Sequence, residues 1–243
     1  MKYTTLLLSS LLLVACGGGG GGGGPIVSTD PFALKQAYAN DFNDVAAHNY
    51  TISGVLTVVG VPTTIGGSGS VTQTPVINTT FENLPARTKT KTFVSNTTVS
   101  VPGVPPSAGP QTTSITNIFL NANNELVGFA SPRTGSSTGS YSVPAGPVVI
   151  PTTATVGTSG TIGTFNTWVD NTKTQLLGTN TISYAVLADT ANTAILNLTQ
   201  VLTIVGSAAT TQVDSYRVTP AGGITRINQT GTVTGIGSLV LTY

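Results

Sequence analysis

The chain has 243 residues with nine basic and eight acidic side chains, and only 7% of it is charged, against about 25% in an ordinary globular protein. Such a near-neutral chain excludes electrostatic capture of nucleic acid and an acidic, disordered solvating domain. A single cysteine excludes internal disulfides and multi-cysteine metal sites.

The chain opens with Lys2, an apolar stretch from Leu6 to Val14 broken by Ser9 and Ser10, and then Leu13-Val14-Ala15-Cys16. This stretch is shorter than the about 20 residues that cross a bilayer, and it fits a signal peptide over residues 1–15. Leu-Val-Ala-Cys resembles the lipobox of bacterial lipoproteins, in which the cysteine is thioether-linked to diacylglycerol and exposed by cleavage. A cysteine falling by chance in an ordinary secretory signal is the bland alternative. The resemblance implies lipidation at Cys16, with the membrane as partner through diacylglycerol and further acyl chains. Two or more chains make a stable anchor. Gly17 to Gly24 follow, completing an acylated, flexible tether over 16–29 whose glycine run spans roughly 16 Å. Gly17 in place of Asp resembles lipoproteins sorted to the outer membrane.

Residues 30–243 read as a single β domain. Threonine is roughly one residue in six, and Ser, Asn and Gly are also common. Thr favours strands, while Gly, Asn and Pro punctuate turns. One helix is expected over about 31–48, from an Asp30 N-cap and Pro31 in the first turn. Leu34, Tyr38, Phe42 and Val45 form its apolar stripe, with Lys35, Asp41 and Asp44 on other faces. Strand patterns begin at about 50 and recur over 50–59, 68–78, 87–101, 112–121, 125–131, 160–169, 178–188, 192–205, 210–219, 223–234 and 237–243. Four prolines make 102–110 a loop. An internal boundary is expected within about 132–159, which carries Ser/Gly and proline clusters. The fold class is mainly β: an antiparallel meander forming a curved sheet, barrel or half-barrel, with one N-terminal helix.

Thr112–Phe129 aligns without gaps on Thr210–Ile227 at an offset of 98. Either the chain contains two similar halves, or any two hairpins look alike in so Thr-rich a sequence.

No catalytic, cofactor-binding or metal-ligating set emerges. His48 is the sole histidine and is expected at the helix end in a structural role. Gly135-Ser136-Ser137-Thr138-Gly139 matches G-x-S-x-G, but it sits in a loop and the histidine precedes it, against the order a nucleophile elbow requires. Arg87, Lys89 and Lys91 alternate with threonines, which puts all three cations on one strand face. A solvated or edge strand that resists edge pairing is favoured there. The functional reading is a basic stripe for lipid phosphates or acidic glycan. Asp170, Lys173, Asp189, Asp214 and Arg217 fall near strand ends or turns, and Trp168 is expected in a core or interface. The last strand, Gly237 to Tyr243, resembles the closing strand of outer-membrane barrels, although the aromatic girdles of such barrels are missing.

The region from Thr158 to Thr230 resembles a group of lipoproteins of Gram-negative proteobacteria that has no assigned activity. The residues that carry this are Ser159-Gly160-Thr161, Gly178-Thr179-Asn180-Thr181-Ile182-Ser183-Tyr184, Ala188-Asp189-Thr190-Ala191-Asn192-Thr193-Ala194 and Ser215-Tyr216-Arg217. Thr80-Phe81-Glu82-Asn83 and the lipobox with polyglycine also fit. The resemblance covers about half of the mature domain and implies a β fold and an envelope address, with no functional residue.

The leading expectation is a non-catalytic outer-membrane lipoprotein with an envelope role or with an apolar or neutral ligand. A surface adhesin or protein-interaction module is second. A lipid-anchored enzyme is third, because titratable side chains are scarce.

Overall fold

The computed structural model describes residues 27–132 and 139–243. The signal segment, Cys16, the glycine run and most of the G-x-S-x-G match lie outside the described residues. One helix, α1 (Leu34–Asn43), precedes β1 (His48–Val58), β2 (Val61–Gln73), β3 (Ile77–Phe81), β4 (Leu84–Ser100) and β5 (Ser107–Ala108). There follow β6 (Thr112–Leu120), β7 (Leu126–Ser131), β8 (Ser140–Pro144), β9 (Ser159–Trp168) and β10 (Leu176–Ala188). Last come β11 (Ala194–Ile204), β12 (Thr210–Val218), β13 (Ile224–Val233) and β14 (Gly237–Thr242).

Twelve of these strands close into an antiparallel barrel. The ring runs β1, β2, β4, then β6 to β14 in order, and is sealed by the pairings of β1 with β14 and of β2 with β4. The short β3 and β5 add to the two edges of β4. Closure leaves the ring without an exposed edge, the site at which open sheets aggregate. The stretch expected as an internal boundary, 132–159, instead carries β8 into the ring between β7 and β9. Its prolines and glycines turn the chain between strands of one barrel.

Outward-facing positions are rich in hydroxyl and amide side chains. On the outer wall Thr90 bonds Asn117 at 2.6 Å and Thr164 bonds Thr181 at 3.1 Å, cross-strand pairs of the kind that stabilise a sheet face. Such a wall is not the apolar band of a lipid-embedded barrel. The β3–β4 hairpin folds back onto this wall. There Phe81 stacks on Phe119 at 4.4 Å and on Tyr141 at 5.2 Å, and Glu82 accepts from Tyr141 and pairs with Lys173.

The helix is shorter than the expected 31–48, and it does not use Asp30 as its N-cap. Phe32 is drawn into a bridge with Ala154, with N–H···O bonds of 2.8 and 3.0 Å in the two directions. Helical geometry can therefore begin only at Leu34. The chain leaves it at Asp44, whose backbone is extended.

Helix α1 plugs one end of the barrel. Leu34 and Ala37 pack with Val186, Leu196, Tyr216 and Val218. Phe42 packs with Leu120, Leu126, Ile162 and the fully buried Phe165. A third cluster, Tyr50, Ile52 and Ile65 with Leu239 and Leu241, fills the wall around the β1–β14 seam. There Tyr50 lies across Gly69, where an added Cβ would stand 2.5 Å from the ring.

The internal similarity corresponds to matching elements. Under the offset of 98, β6 and β12 have the same bounds and β7 and β13 the same start, though β13 runs four residues further, and each hairpin carries a register shift. They lie six strands apart in the ring of twelve, on opposite walls.

Candidate functional site

Between the plug and the far end of the barrel lies a cavity of about 600 Å³. Because strand side chains alternate in direction, every strand of the ring except β2 lends residues to the lining of one interior. Phe93, Phe129, Leu198, Leu202, Ile204 and Leu177 supply apolar wall, while Asn180, Gln200, Gln212 and Gln229 supply amides. Asn180 donates to Gln200 at 3.4 Å, but its buried Oδ1 has no partner among the described residues.

Charge gathers on the floor, where α1 meets the strands. Asp41 of α1 accepts from Lys91 Nζ at 2.9 Å on one oxygen and from Arg226 Nη2 at 3.2 Å on the other. Burial works to raise the Asp41 carboxyl, but Lys91 and Arg226 outweigh it and hold the group well below the usual carboxylate range. Arg226 also donates to the hydroxyls of Tyr216 at 3.3 Å and Tyr243 at 3.4 Å, and it stacks over both rings. Asp214, across the floor, is bonded by Gln212 Nε2 at 2.8 Å, and burial pushes its carboxyl upward.

Lys89 lies beneath this layer and is 1% exposed. Its ammonium donates to the carbonyls of Asp41 at 2.7 Å and Asp44 at 3.0 Å, the orphan acceptors at the negative end of the helix. Burial, reinforced by Lys91, pushes this ammonium down to about 7 against the pull of Asp41 and Asp44. Lys89 and Lys91 thus fasten the plug to β4.

This placement corrects the expectation for the basic strand. Arg87, Lys89 and Lys91 do share a face, but that face is the barrel interior, so it forms neither a solvated stripe nor an edge. Arg87 lies 5.7 Å from the centroid of the Phe42 ring and bonds Asn124. The alternating pattern gave the shared face, and only ring closure determines that it points inward.

His48 opens β1 and its Nε2 lies 2.7 Å from Asp44, four residues earlier. Arg217 pairs with Asp189 at 2.7 Å on the surface, and Lys173 pairs with Glu82. Trp168 is half-buried, with a buried indole N–H that has no partner among the described residues. Of the scattered acids, only Asp214 reaches the cavity. Helical spacing puts Asp41 on a face of α1 away from its apolar stripe. The helix sits inside the barrel end, so that second face looks into the lumen. Among the described residues no three His, Cys, Asp or Glu side chains gather as a metal site would need, and no helix is long and apolar enough to cross a membrane.

The β1–β2, β11–β12 and β13–β14 hairpins lie at the end opposite α1. Their tips at 58–61, 204–210 and 233–237 carry no charge, and Val59 is 97% and Val205 77% exposed. Comparison with protein families, with curated proteins and with solved structures finds no match to this chain.

Proposed function

We propose that the protein is a non-catalytic, lipid-anchored carrier of the Gram-negative outer membrane, holding a small amphipathic molecule in its barrel lumen. The observation that carries this reading is the plugged lumen of about 600 Å³, apolar along its walls and charged at its floor. That volume lies within the range of about 300–1,000 Å³ typical of ligand sites, as does an apolar lining with a few convergent polar groups. The floor favours a ligand with a polar head over the wholly apolar or neutral one that composition suggested. The lipobox resemblance at Cys16 and the glycine run support the anchor. The described chain begins beside the plugged end, where Phe32 meets Ala154, so on such a tether the mouth lies at the far end of the barrel from the anchor.

Two carboxylates shifted in opposite directions resemble an acid/base pair, which is the observation that favours an enzyme. Against it, both Asp41 oxygens are taken by cations, so neither is free to act as base or nucleophile. The three uncharged hairpin tips at 58–61, 204–210 and 233–237, with Val59 and Val205 exposed, favour a protein-interaction role as the second reading, although the β9–β10 turn beside them carries Asp170 and Lys173.

Two measurements test the proposal. Native mass spectrometry of the protein extracted from its own membranes is expected to show a stoichiometric small-molecule adduct that organic solvent removes. Radiolabelled palmitate is expected to label the wild type and not Cys16→Ala. A ligand-free protein that also takes up no amphiphile from a panel would refute the carrier role, and equal labelling of the two proteins would refute the anchor.

A further inference from the structure

The geometry points to a singly charged amphiphile as occupant, a long-chain carboxylate whose head rests on Lys91 and Arg226 and whose tail runs along Leu198, Leu202 and Ile204 toward the mouth. This rests on the carrier reading above and names the ligand class of the same lumen.

The first argument is the charge on the floor. Lys91 and Arg226 flank one carboxylate between them, Asp41. The other acid, Asp214, has Gln212 as its side-chain partner and contacts neither cation. Burial raises its carboxyl against the pull of Gln212, Arg226 and Lys91. The ammonium of Lys89 is already committed to the two carbonyls of α1. By contact, two cations on the lumen side therefore share a single carboxylate, where the side chains of Lys91 and Arg226 are only 10% and 6% exposed. A desolvated, unmatched cation is costly, and a ligand bearing one negative charge offsets it. A phosphate monoester, at about −1.5 to −2, would overshoot.

The second argument is the supply of donors. Lys91 has three N–H groups and Arg226 five. One of the three bonds Asp41, and three of the five bond Asp41, Tyr216 and Tyr243. The remainder leaves donors for a two-oxygen head. Beyond the floor the wall turns apolar, so a head held there directs a hydrocarbon tail up the barrel.

The test uses the full chain in nanodiscs with hexadecanoate and hexadecan-1-ol, each carrying ¹³C at carbon 1. Nuclear magnetic resonance then separates the protein-bound signal from the membrane pool. The acid is expected to bind at least about tenfold more tightly than the alcohol, a difference of about 1.4 kcal/mol. Lys91→Gln is expected to erase that preference. In the wild type alone, the bound carboxyl carbon should titrate at lower pH than the membrane pool, a readout that does not depend on any variant folding. Equal binding of acid and alcohol overturns the anionic head and leaves the carrier reading standing. A preference untouched by Lys91→Gln, or a bound carboxyl that titrates with the membrane pool, overturns the placement on the floor. If neither compound binds, the carrier reading falls and this inference falls with it.

Discussion

Lys89 ties the plug to the barrel, and its burial makes stability depend on pH in the same direction as acid denaturation but in a window several pH units higher. In the folded protein the ammonium is pushed down to about 7 by burial and by Lys91, while in the unfolded chain it keeps a value near 10.4. Between those two values the unfolded state binds a proton that the folded state has released, so stability rises with pH. The slope reaches about 1.4 kcal/mol per pH unit, and from pH 7 to pH 9 the integrated gain is about 2 kcal/mol. A neutral amine retains two N–H groups, so both bonds to the carbonyls of Asp41 and Asp44 survive the loss of the proton. Lys89→Met keeps most of the stem's volume and removes the titration. Chemical unfolding followed by near-ultraviolet circular dichroism at pH 7, 8 and 9 measures the effect. Tyrosines and other groups titrate in both proteins, so the difference between them isolates Lys89. The wild type is expected to gain about 2 kcal/mol on the variant across this range. Parallel pH profiles would refute the reasoning, because they would mean that Lys89 stays charged in the fold at no cost.

Other perturbations probe the plug and the wall. Asp214→Asn removes a carboxyl whose pKa is raised by burial; the folded state there holds its proton longer than the unfolded chain, so wild-type stability falls as pH rises from about 3.8. The variant's thermal midpoint should therefore exceed the wild type's at pH 7, with the advantage shrinking toward pH 4. Phe165→Ala empties a fully buried site beneath α1 and should cost about 3–5 kcal/mol in denaturant unfolding. Gly67→Ala places a Cβ 2.1 Å from the carbonyl of Asn96 at a backbone φ of +144°; a loss of more than about 1 kcal/mol is expected, and an unchanged midpoint would show that β2 shifts away from β4 freely.

Strand after strand was legible in the sequence, because Thr, Val and Ile alternate between turn residues. The hairpins at 112–131 and 210–233 fall where their patterns place them. The elements that were missed carry ambiguous chemistry. The first half of β2, Val61 to Gly67, has proline at its second position and ends with paired glycines, and both read as loop. β8 is five residues bounded by the prolines and glycines of 132–159, so its pattern merges with that of a boundary. The site was less legible than the fold. Lys89, Lys91, Asp41, Asp214 and Arg226 come from one helix and three strands that meet only when the ring closes. Local pattern shows which side chains share a face but not whether that face points inward. A run of cations on one strand reads as surface unless something buried neutralises it, and the neutralising acid, Asp41, lies on a helix face that the periodicity separates from the apolar stripe without showing what it meets.

Closure of the barrel also bears on how the chain reaches its fold. Nearly all the wall is built from hairpins between sequence neighbours, which form early because little loop entropy opposes them. The seam is different: Ile52 pairs with Leu241 and Thr51 with Thr242, residues nearly two hundred positions apart. Contacts of that separation are slow to form, so sealing β1 to β14 is the expected rate-limiting event. Until it happens, both strands present unpaired backbone donors and acceptors, and a second chain in the same condition can supply the missing partner. The interval before sealing is therefore when the protein is most exposed to misassembly.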